Sequence, residues 1–549
     1  MRTTFLPAPA LPPGRPRLVV TGFMGTGKTV AGQLAAEILG LPFFDLDAVI
    51  EARAGMPVSR IFARLGEPGF RNLERSVMAD AACVSGAVVA TGGGAVEDRA
   101  TFGDLCEGAV VAVLTCGSDE LMRRLGEGFA RPLLGPDPHS RVPGLLRDRA
   151  AAYASAGEAL DTTGLTAEEV AAELASRYRG VVEGGGPVRI PVEVPDEPYE
   201  VVLGPGAIEG LGQDMKDVLP RARRAALAID EAICRSAGDR VSAALEGAGL
   251  AVAARLVLPG GEATKSIEVV ADLWSRFRRA GLEPGEVVVA VGGGATLDAA
   301  GFAAATYARG VALVMVPTTL LAMVDAALGG KVGIDHAGVK NLVGSFHHPR
   351  LVLADSLTLG SLPTRALRAG LGEVVKAFLL ASPLALEGLE AIGADIAGQV
   401  VWLVEQAVRI KVGYVAADPW DLGLRHALNL GHTFAHAIEV VTEFGVPHGE
   451  AVAIGLVAAA RLGTEIGITP QVVPDRLGRV LARIDLPANP PSDLDAQGLL
   501  EAMEADKKRR GGRAVFVVPS EGGSTLVEGV GTDLALSALL APRAGRAAP

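Results

Sequence analysis

Residues 18–29 read LVVTGFMGTGKT, and this stretch predicts the fold of the first part of the chain. The apolar, β-branched run at 18–22 is typical of a buried strand, and a helical pattern begins at Lys28. GFMGTGKT (22–29) joins the two and is a complete GxxxxGKT motif. Its glycines allow backbone N–H groups to surround phosphate oxygens, so the stretch predicts a P-loop that binds ATP. We expect Lys28 to reach the β- and γ-phosphates and the Thr29 hydroxyl to hold Mg²⁺.

The alternation of strands and helices continues through the first 180 residues and predicts a parallel sheet covered by helices. It stops at 181–198, where three consecutive glycines and four prolines favour a linker. A second alternating series follows, and helical periodicity then dominates the remainder. The predicted class is α/β, divided into a disordered tail (1–16), a P-loop kinase domain (17–180), a linker (181–198), a second α/β domain (199–357) and a mostly helical domain (358–540).

Composition and charge narrow the classes of function. The formal net charge is -12 and no long Lys/Arg run occurs, so nucleic acid is not an expected partner. The four cysteines form no CxxC pair, which indicates a reducing compartment without a disulfide framework. The N-terminal residues lack a continuous apolar segment, and no stretch reaches the length of a membrane span. We therefore expect a cytoplasmic enzyme with small-molecule substrates and no membrane association.

Several short segments of the first half resemble shikimate kinase in their order and spacing: GFMGTGKT (22–29), FFDLD (43–47), GEPGFRNLE (66–74), ATGGG (90–94) and RPLL (131–134). The resemblance implies transfer of phosphate from ATP to shikimate, giving shikimate 3-phosphate. It implies that Asp45 assists Mg²⁺ and that Arg131 belongs to a lid. The implied ATP-binding residues are Gly25, Thr26, Gly27, Lys28, Thr29, Val30 and Arg131.

The implied shikimate pocket combines charge and hydrogen-bonding groups. Shikimate carries a carboxylate, which Arg71 and Arg149 could clamp with charge-assisted hydrogen bonds. It also carries the hydroxyl to be phosphorylated, which Asp47 could orient or deprotonate. The implied pocket residues are Asp47, Arg71, Gly93, Gly94 and Arg149.

Histidines mark the second half. His432 and His436 are four residues apart in GHTFAHAIE and therefore share one helix face, and His448 opens another helical pattern. Three histidines in this arrangement predict a zinc site with an open coordination position.

The segment 199–520 resembles 3-dehydroquinate synthase, and the resemblance changes the ligand set. The matching runs include GGGATLDAAGFAAATYARG (292–310), RAGLGEVVKAFLL (368–380), LNLGHTFAHAIE (428–439) and HGEAVAIG (448–455). In that family the metal ligands correspond to Glu373, His432 and His448, holding Zn²⁺ or Co²⁺. His436 would then handle protons or contact the substrate.

This resemblance also implies the reaction and a homo-oligomer through this half of the chain. NAD⁺, oxidised again within each turnover, would support cyclisation of 3-deoxy-D-arabino-heptulosonate 7-phosphate to 3-dehydroquinate with loss of phosphate. The implied NAD residues are Asp230, Glu262, Lys265, Gly293, Gly294, Asp298, Thr318, Thr319, Lys331 and Lys340. The implied substrate residues are Arg309, Asp325, Lys331, Lys340, Asn341, Lys376, Lys411, Arg425, Asn429, His436 and a lysine of DKKRR, Lys507 or Lys508, with Lys508 preferred.

Three details of the second half bear on its predicted sites. Lys331 lies in apolar LGGKVGI, so we expect a buried ammonium group with an anionic partner. Leu297 occupies a position where the family usually has glycine, and DPWDL (418–422) departs from the family's acidic run.

Three other functions stay open from the sequence. The second half could be a related sugar phosphate cyclase, or a zinc polyol dehydrogenase that reduces free NAD⁺ stoichiometrically. One half could also be a catalytically silent interaction module.

Overall fold

The computed structural model describes residues 1–125, 138–182, 186–393, 396–492, 494–509 and 514–541. The chain divides into two compact units. The smaller unit consists of residues 14–185 and 382–402, and the larger unit of residues 1–13, 186–381 and 403–549. Both units contain parallel sheets with helices, which confirms the predicted α/β class.

The N-terminal residues form a strand where the sequence predicted a disordered tail. Strand β1 (Arg2–Pro7) belongs to the larger unit, where it pairs in antiparallel register with residues 523–528. The prediction of disorder for 1–16 is therefore wrong for β1. The partner strand lies more than 500 residues away, so no local pattern in the sequence could reveal the pairing.

The smaller unit is built on a five-stranded parallel sheet in the order β3-β4-β2-β5-β6. Its central strand β2 is fully buried because both faces are covered, as its continuous apolar run predicts. The P-loop follows this central strand. The elements are β2 (Leu18–Gly22), α1 (Lys28–Leu39), β3 (Phe43–Asp45), α2 (Leu46–Ala54), α3 (Val58–Ala82), β4 (Val88–Ala90), α4 (Arg99–Cys106), β5 (Val110–Thr115), α5 (Ser118–Leu125), α6 (Pro138–Ala156), β6 (Glu158–Asp161) and α7 (Ala167–Val182).

The first part of the larger unit holds a seven-stranded sheet in the order β10-β9-β11-β12-β15-β8-β7, parallel except for β7. β7 lies inside the predicted linker, which is therefore shorter than expected. Its backbone pairs with β8, and the side chains of Ile190 and Val192 are buried. The elements are β7 (Val188–Val192), β8 (Tyr199–Gly204), α8 (Ala207–Val218), β9 (Arg224–Asp230), α9 (Ala237–Gly247), β10 (Ala251–Leu258), α10 (Ile267–Arg279), β11 (Val287–Gly292), α11 (Gly294–Thr306), β12 (Ala312–Pro317), β13 (Lys331–His336), β14 (Val339–Phe346) and β15 (Leu351–Asp355).

The remainder is mainly helical, as predicted. Its strands complete a three-stranded sheet in the order β1-β17-β16, and α13 groups with the smaller unit. Across the described ranges, no helix combines the length and apolarity that crossing a membrane requires. The elements are α12 (Thr364–Ala381), α13 (Pro383–Ile392), α14 (Ile396–Ala417), α15 (His432–Val441), α16 (His448–Glu465), α17 (Val472–Arg483), α18 (Ala496–Arg509), β16 (Val515–Ser520), β17 (Gly523–Glu528) and α19 (Thr532–Leu540).

Candidate active sites

The P-loop has the backbone geometry that phosphate binding requires. Gly25 and Gly27 adopt φ angles of +84° and +95°, which side chains other than glycine rarely tolerate. Helix α1 begins directly at Lys28, so its unpaired N–H groups and positive dipole end border the loop. The Lys28 ammonium donates to the Phe23 carbonyl at 3.0 Å, and the Thr29 hydroxyl donates to Asp45 at 2.6 Å. Thr29 and Asp45 thus already meet at the predicted Mg²⁺ position.

A cleft of about 480 Å³ opens beside the P-loop, and we call it the acceptor cleft. It brings together every described residue that was predicted to bind shikimate. A Cβ atom at Gly94 would lie 2.5 Å from the Arg71 guanidinium, so glycine at this position leaves room for Arg71 in its observed place. Its lining includes Thr29, Asp45, Asp47, Arg71, Glu74, Gly93, Gly94 and Arg149.

Two carboxylates that the sequence reasoning missed hold the arginines of the acceptor cleft. Arg71 donates to Glu97 at 2.8 Å and to Glu74 at 2.6 Å. Arg149, itself buried, donates to the same Glu97 at 3.1 Å and to the Gly93 carbonyl at 3.2 Å. Glu97 therefore bridges both cations. The pattern FRNLE, which places Glu74 one helical turn after Arg71, was the available signal for Glu74.

Asp47 has the environment of a general base. Burial raises its pKa to about 6, and the neighbouring Asp45 carboxylate adds to the increase while Lys28 opposes it. A carboxylate with this pKa is ionised at neutral pH yet more basic than an ordinary aspartate, so it can accept a hydroxyl proton.

Val30 and Arg131 are the remaining residues that were predicted to bind ATP. Val30 lines a second cleft of about 310 Å³ together with Thr26, Gly27 and Arg124, beside the P-loop. Arg131 lies outside the described residues.

In the larger unit, three predicted ligands converge. The ligand atoms of Glu373, His432 and His448 all lie within 4.8 Å of one another, the one such group found in the described ranges. The Nε2 atoms of both histidines are 3.4 Å from Glu373 Oε1. Ligands about 2.1 Å from a tetrahedral zinc ion are separated by about 3.4 Å, so the spacing fits Zn²⁺. Glu373 is buried, and its Oε1 has no hydrogen-bond partner in the described structure.

Both histidines are oriented by acceptors on their other nitrogen. His432 Nδ1 lies 3.2 Å from the Leu430 carbonyl, and His448 Nδ1 lies 3.4 Å from Glu439. Donation from Nδ1 leaves Nε2 as the metal-binding atom. Glu439 is a further residue that the sequence reasoning missed, although it ends the quoted run LNLGHTFAHAIE. His436, one turn beyond His432, lines the cleft and is not among the three clustered ligands.

Two of the clustered ligands, His432 and His448, line a cleft of about 650 Å³, which we call the cation cleft. Asp325, on a single π-helical turn, pairs with Lys411 and lies 4.0 Å from Lys376. Lys376, Lys411 and Arg425 are buried, so their charges act in a poorly screened environment. The predicted residues lining this cleft are Asp298, Asp325, Lys331, Asn341, Lys376, Lys411, Arg425, Asn429, His432, His436 and His448.

Three predictions about cationic residues have different outcomes. The expectation that Lys331 is buried is wrong: its side chain is 53% exposed at the start of β13, although it does pair with Asp421. Lys331 is the first residue of β13, which forms a two-stranded sheet with β14, and its long side chain reaches solvent there. Arg309 is exposed on a turn after α11 and is not among the residues that line the cation cleft. Lys507 and Lys508 lie on α18, and their side chains are outside the described residues.

Five of the ten predicted NAD residues lie at the carboxyl ends of three adjacent strands. Asp230 ends β9, Gly293 and Gly294 follow β11, and Thr318 and Thr319 follow β12. This edge is where open α/β sheets bind ligands.

Four charged residues of the predicted NAD site form two ion pairs. Lys265 is buried and pairs with Asp298 at 2.7 Å, while Lys340 pairs with Glu262 at 2.9 Å. Burial raises the pKa of Asp298 to about 6, against the opposing charge of Lys265.

Comparison with known families decides the identity. Residues 24–179 match the shikimate kinase family, residues 255–369 the N-terminal model of 3-dehydroquinate synthase, and residues 370–509 its C-terminal model. The 3-dehydroquinate synthase of Symbiobacterium thermophilum is 44% identical over 341 residues, which cover 61% of this chain and 95% of that protein. The chain belongs to the 3-dehydroquinate synthase family and carries a shikimate kinase domain. We therefore call residues 14–185 of the smaller unit the kinase unit and the larger unit the synthase unit, while residues 382–402 of the smaller unit belong to the segment that matches the synthase family.

Further relatives agree with this assignment. The 3-dehydroquinate synthase of Mycobacterium leprae is 41% identical over 336 residues, covering 60% of this chain and 91% of that protein. Among solved structures, 2-epi-5-epi-valiolone synthase from Streptomyces hygroscopicus subsp. jinggangensis 5008, with NAD⁺ and Zn²⁺ bound, is 28% identical. It has a TM-score of 0.57 and covers 62% of this chain and 95% of its own.

The structure accounts for both departures of the synthase unit from its family pattern. Leu297 is fully buried on α11, so it fills core volume and presents no side chain to the strand ends. In DPWDL, Asp418 accepts backbone N–H groups of Leu422, Gly423 and Arg425 at 2.7–3.1 Å, and Asp421 pairs with Lys331. The segment therefore keeps carboxylates at both ends of this turn.

Proposed function

We propose that the kinase unit transfers the γ-phosphoryl group of ATP to the 3-hydroxyl of shikimate. The observation that carries this proposal is the acceptor cleft, in which Arg71 and Arg149 lie together with Asp47, next to the P-loop. The arginines would bind the shikimate carboxylate, Asp47 would accept the hydroxyl proton, and Lys28 would neutralise charge on the phosphates. Thr29 and Asp45 would hold Mg²⁺, directly and through water.

The kinase proposal is tested by ADP release with shikimate and with its methyl ester. Shikimate is expected to support ADP release and to gain one phosphate by mass spectrometry. The ester lacks the carboxylate charge, so we expect at least a tenfold higher KM. Equal KM values for acid and ester would refute the role of the arginines.

We propose that the synthase unit cyclises 3-deoxy-D-arabino-heptulosonate 7-phosphate to 3-dehydroquinate with release of phosphate. The supporting observation is that His432 and His448, which cluster with Glu373, line the same cleft as buried Lys376, Lys411 and Arg425. A carboxylate and a phosphate on one substrate require such a concentration of positive charge in a chain of net charge -12.

The residues in and around the cation cleft have separable proposed roles. Glu373, His432 and His448 would hold the zinc ion, while Asp230 and the glycines after β11 would hold NAD⁺. When bound, NAD⁺ supplies reversible oxidation of a substrate hydroxyl, and zinc supplies Lewis-acid polarisation of the same oxygen.

The other side chains would orient the substrate and move its protons. Lys376, Lys411 and Arg425 would bind its anionic groups, and Asp325 and Asn429 would accept or donate hydrogen bonds at its hydroxyls. His436 lies one helical turn beyond His432 and would carry protons to and from the substrate.

Related sugar phosphate cyclases are the alternative, since the valiolone synthase shares the fold. The 44% identity to a 3-dehydroquinate synthase, against 28% to the valiolone synthase, favours the first function. The test is product identification by NMR with the seven-carbon acid phosphate, while absorbance at 340 nm is followed. We expect 3-dehydroquinate, free phosphate and no net NADH. Net NADH formation would instead indicate a dehydrogenase.

A further inference from the structure

The residues that precede the kinase unit are built into the synthase unit. β1 pairs with β17 along its whole length, from Arg2 opposite Glu528 to Pro7 opposite Gly523. The Ala8 N–H then donates to the Gly522 carbonyl at 3.1 Å, and Leu6 is buried. β17 is thereby the middle strand of its sheet. Without β1, the sheet would be a two-stranded hairpin with an open edge, which is marginally stable in water.

The chain continues from β1 onto helix α14. Buried Arg409 donates from Nε to the Pro12 carbonyl at 2.8 Å. One turn later, a Cβ atom at Gly413 would lie 2.8 Å from the Ala10 carbonyl oxygen and 3.1 Å from Pro9. Gly413 is therefore in close contact with the N-terminal backbone. Glycine lowers helix stability relative to alanine, so this close approach explains its presence in the middle of α14.

Helix α14 also carries Lys411, the partner of Asp325 in the cation cleft. Arg409 and Gly413 are four residues apart and share one face, whereas Lys411 is displaced from each of them by about 200° around the helix. The N-terminal residues therefore pack against the face of α14 opposite the one that enters the cleft.

The sequence of these residues suits a fixed extended conformation. Three of residues 2–12 are prolines, Pro7, Pro9 and Pro12. Proline restricts the unfolded chain, so less conformational entropy is lost when the segment is ordered.

We propose that residues 2–12 form an N-terminal strap, a positioning element of the synthase that completes its small sheet and holds α14 so that Lys411 meets Asp325. The synthase sequence is then interrupted by the kinase residues instead of beginning after them. The expected effect of the strap on activity rests on the proposed cyclase function, whereas its effect on stability does not.

The sharpest test combines Gly413→Ala with deletion of residues 2–12 in the full chain, followed by thermal unfolding. With the strap present, the added methyl group collides with it, so Gly413→Ala is expected to lower the melting temperature of the synthase transition. With the strap deleted, the same substitution is expected to raise it, because alanine is the better helix former. The same sign in both backgrounds would overturn the contact between strap and helix.

A pair of point variants keeps the test valid if the deletion variant does not fold. Leu6→Asp places a charge at the buried position of β1 and is expected to lower the melting temperature and to raise the synthase KM several-fold. Phe5→Asp is the matched control, since Phe5 is 54% exposed. Shikimate kinase activity of the same preparations is expected to stay unchanged. Equal effects of the two variants on the synthase, or an equal loss of kinase activity, would overturn the proposal.

A failure of the activity readout is distinguishable from a failure of the strap. Reversal of the Gly413→Ala effect without any cyclase activity would retain the strap and refute the proposed function. Cyclase activity without reversal of the Gly413→Ala effect would retain the proposed function and refute the strap.

Discussion

Glu97 is expected to compete with shikimate for the arginines of the acceptor cleft, so replacing it should tighten substrate binding. Its two oxygens accept from both Arg71 and Arg149, at 2.8 and 3.1 Å. A substrate carboxylate that binds the same guanidinium groups must first displace this side chain. The substitution Glu97→Gln keeps the size of the side chain and removes its charge.

The magnitude follows from the exposure of the pair. Glu97 is 44% exposed, so each ion pair is screened by solvent and stabilises by about 0.3–1 kcal/mol. Glutamine retains part of the hydrogen bonding, so about 0.5–1.4 kcal/mol is regained on substrate binding, a factor of roughly 2 to 10. We expect the KM for shikimate to fall by that factor while kcat changes little, because the interaction is lost equally in the ground and transition states.

The assay is ADP release with shikimate as the varied substrate. Glu67→Gln is the matched control, since Glu67 contacts only Arg71 of this pair, at 3.3 Å, and is more exposed. Its KM is expected to change by less than about twofold. An increase in KM for Glu97→Gln would mean that Glu97 positions the arginines instead of competing, and would refute the reasoning.

Three further results are expected. Glu439→Gln should weaken zinc binding by about 10- to 100-fold in chelator competition, because His448 loses the carboxylate that orients it. The control Glu443→Gln, at an exposed residue, should leave zinc affinity unchanged, and equal affinities of the two variants would exclude Glu439 as the residue that orients His448. Kinase kcat/KM for shikimate should fall as pH drops through about 6, where the Asp47 carboxylate becomes protonated, and a profile flat to pH 5 would contradict its role as base. Lys411→Met should destabilise the synthase unit by about 2–5 kcal/mol, because Asp325 loses its close partner and keeps only the more distant Lys376, 4.0 Å away. Exposed Lys331→Met should cost under about 1 kcal/mol, and similar melting temperatures for the two variants would refute the effect of burial.

The sequence predicted the sites best where a motif fixes local geometry. The P-loop needs only its own strand, glycines and helix, so the positions of Lys28 and Thr29 at the start of α1 could be predicted. The same holds for His432 and His436, whose spacing determines one helix face. Glu373 lies some 60 residues earlier in the chain, and only the family resemblance connected it to the histidines.

Features that depend on distant partners could not be predicted in this way. Glu97 accepts hydrogen bonds from Arg149, which lies 52 residues later in the chain. β1 pairs with a strand near the other end of the chain. For Lys331 the prediction failed in the opposite direction. Its apolar neighbours in sequence suggested burial, but it begins a strand of the two-stranded β13–β14 sheet and its side chain is 53% exposed. Local apolarity reports the environment of the backbone better than that of a long side chain.

The central claim is that one chain holds two independent active sites, and paired substitutions in a single preparation test it most directly. Lys28→Ala is expected to abolish shikimate-dependent ADP release and to leave release of phosphate from 3-deoxy-D-arabino-heptulosonate 7-phosphate unchanged. Glu373→Ala is expected to abolish release of phosphate from 3-deoxy-D-arabino-heptulosonate 7-phosphate and to leave shikimate-dependent ADP release unchanged. If Lys28→Ala left phosphorylation intact, or if Glu373→Ala left cyclisation intact, the assignment of that site would be contradicted.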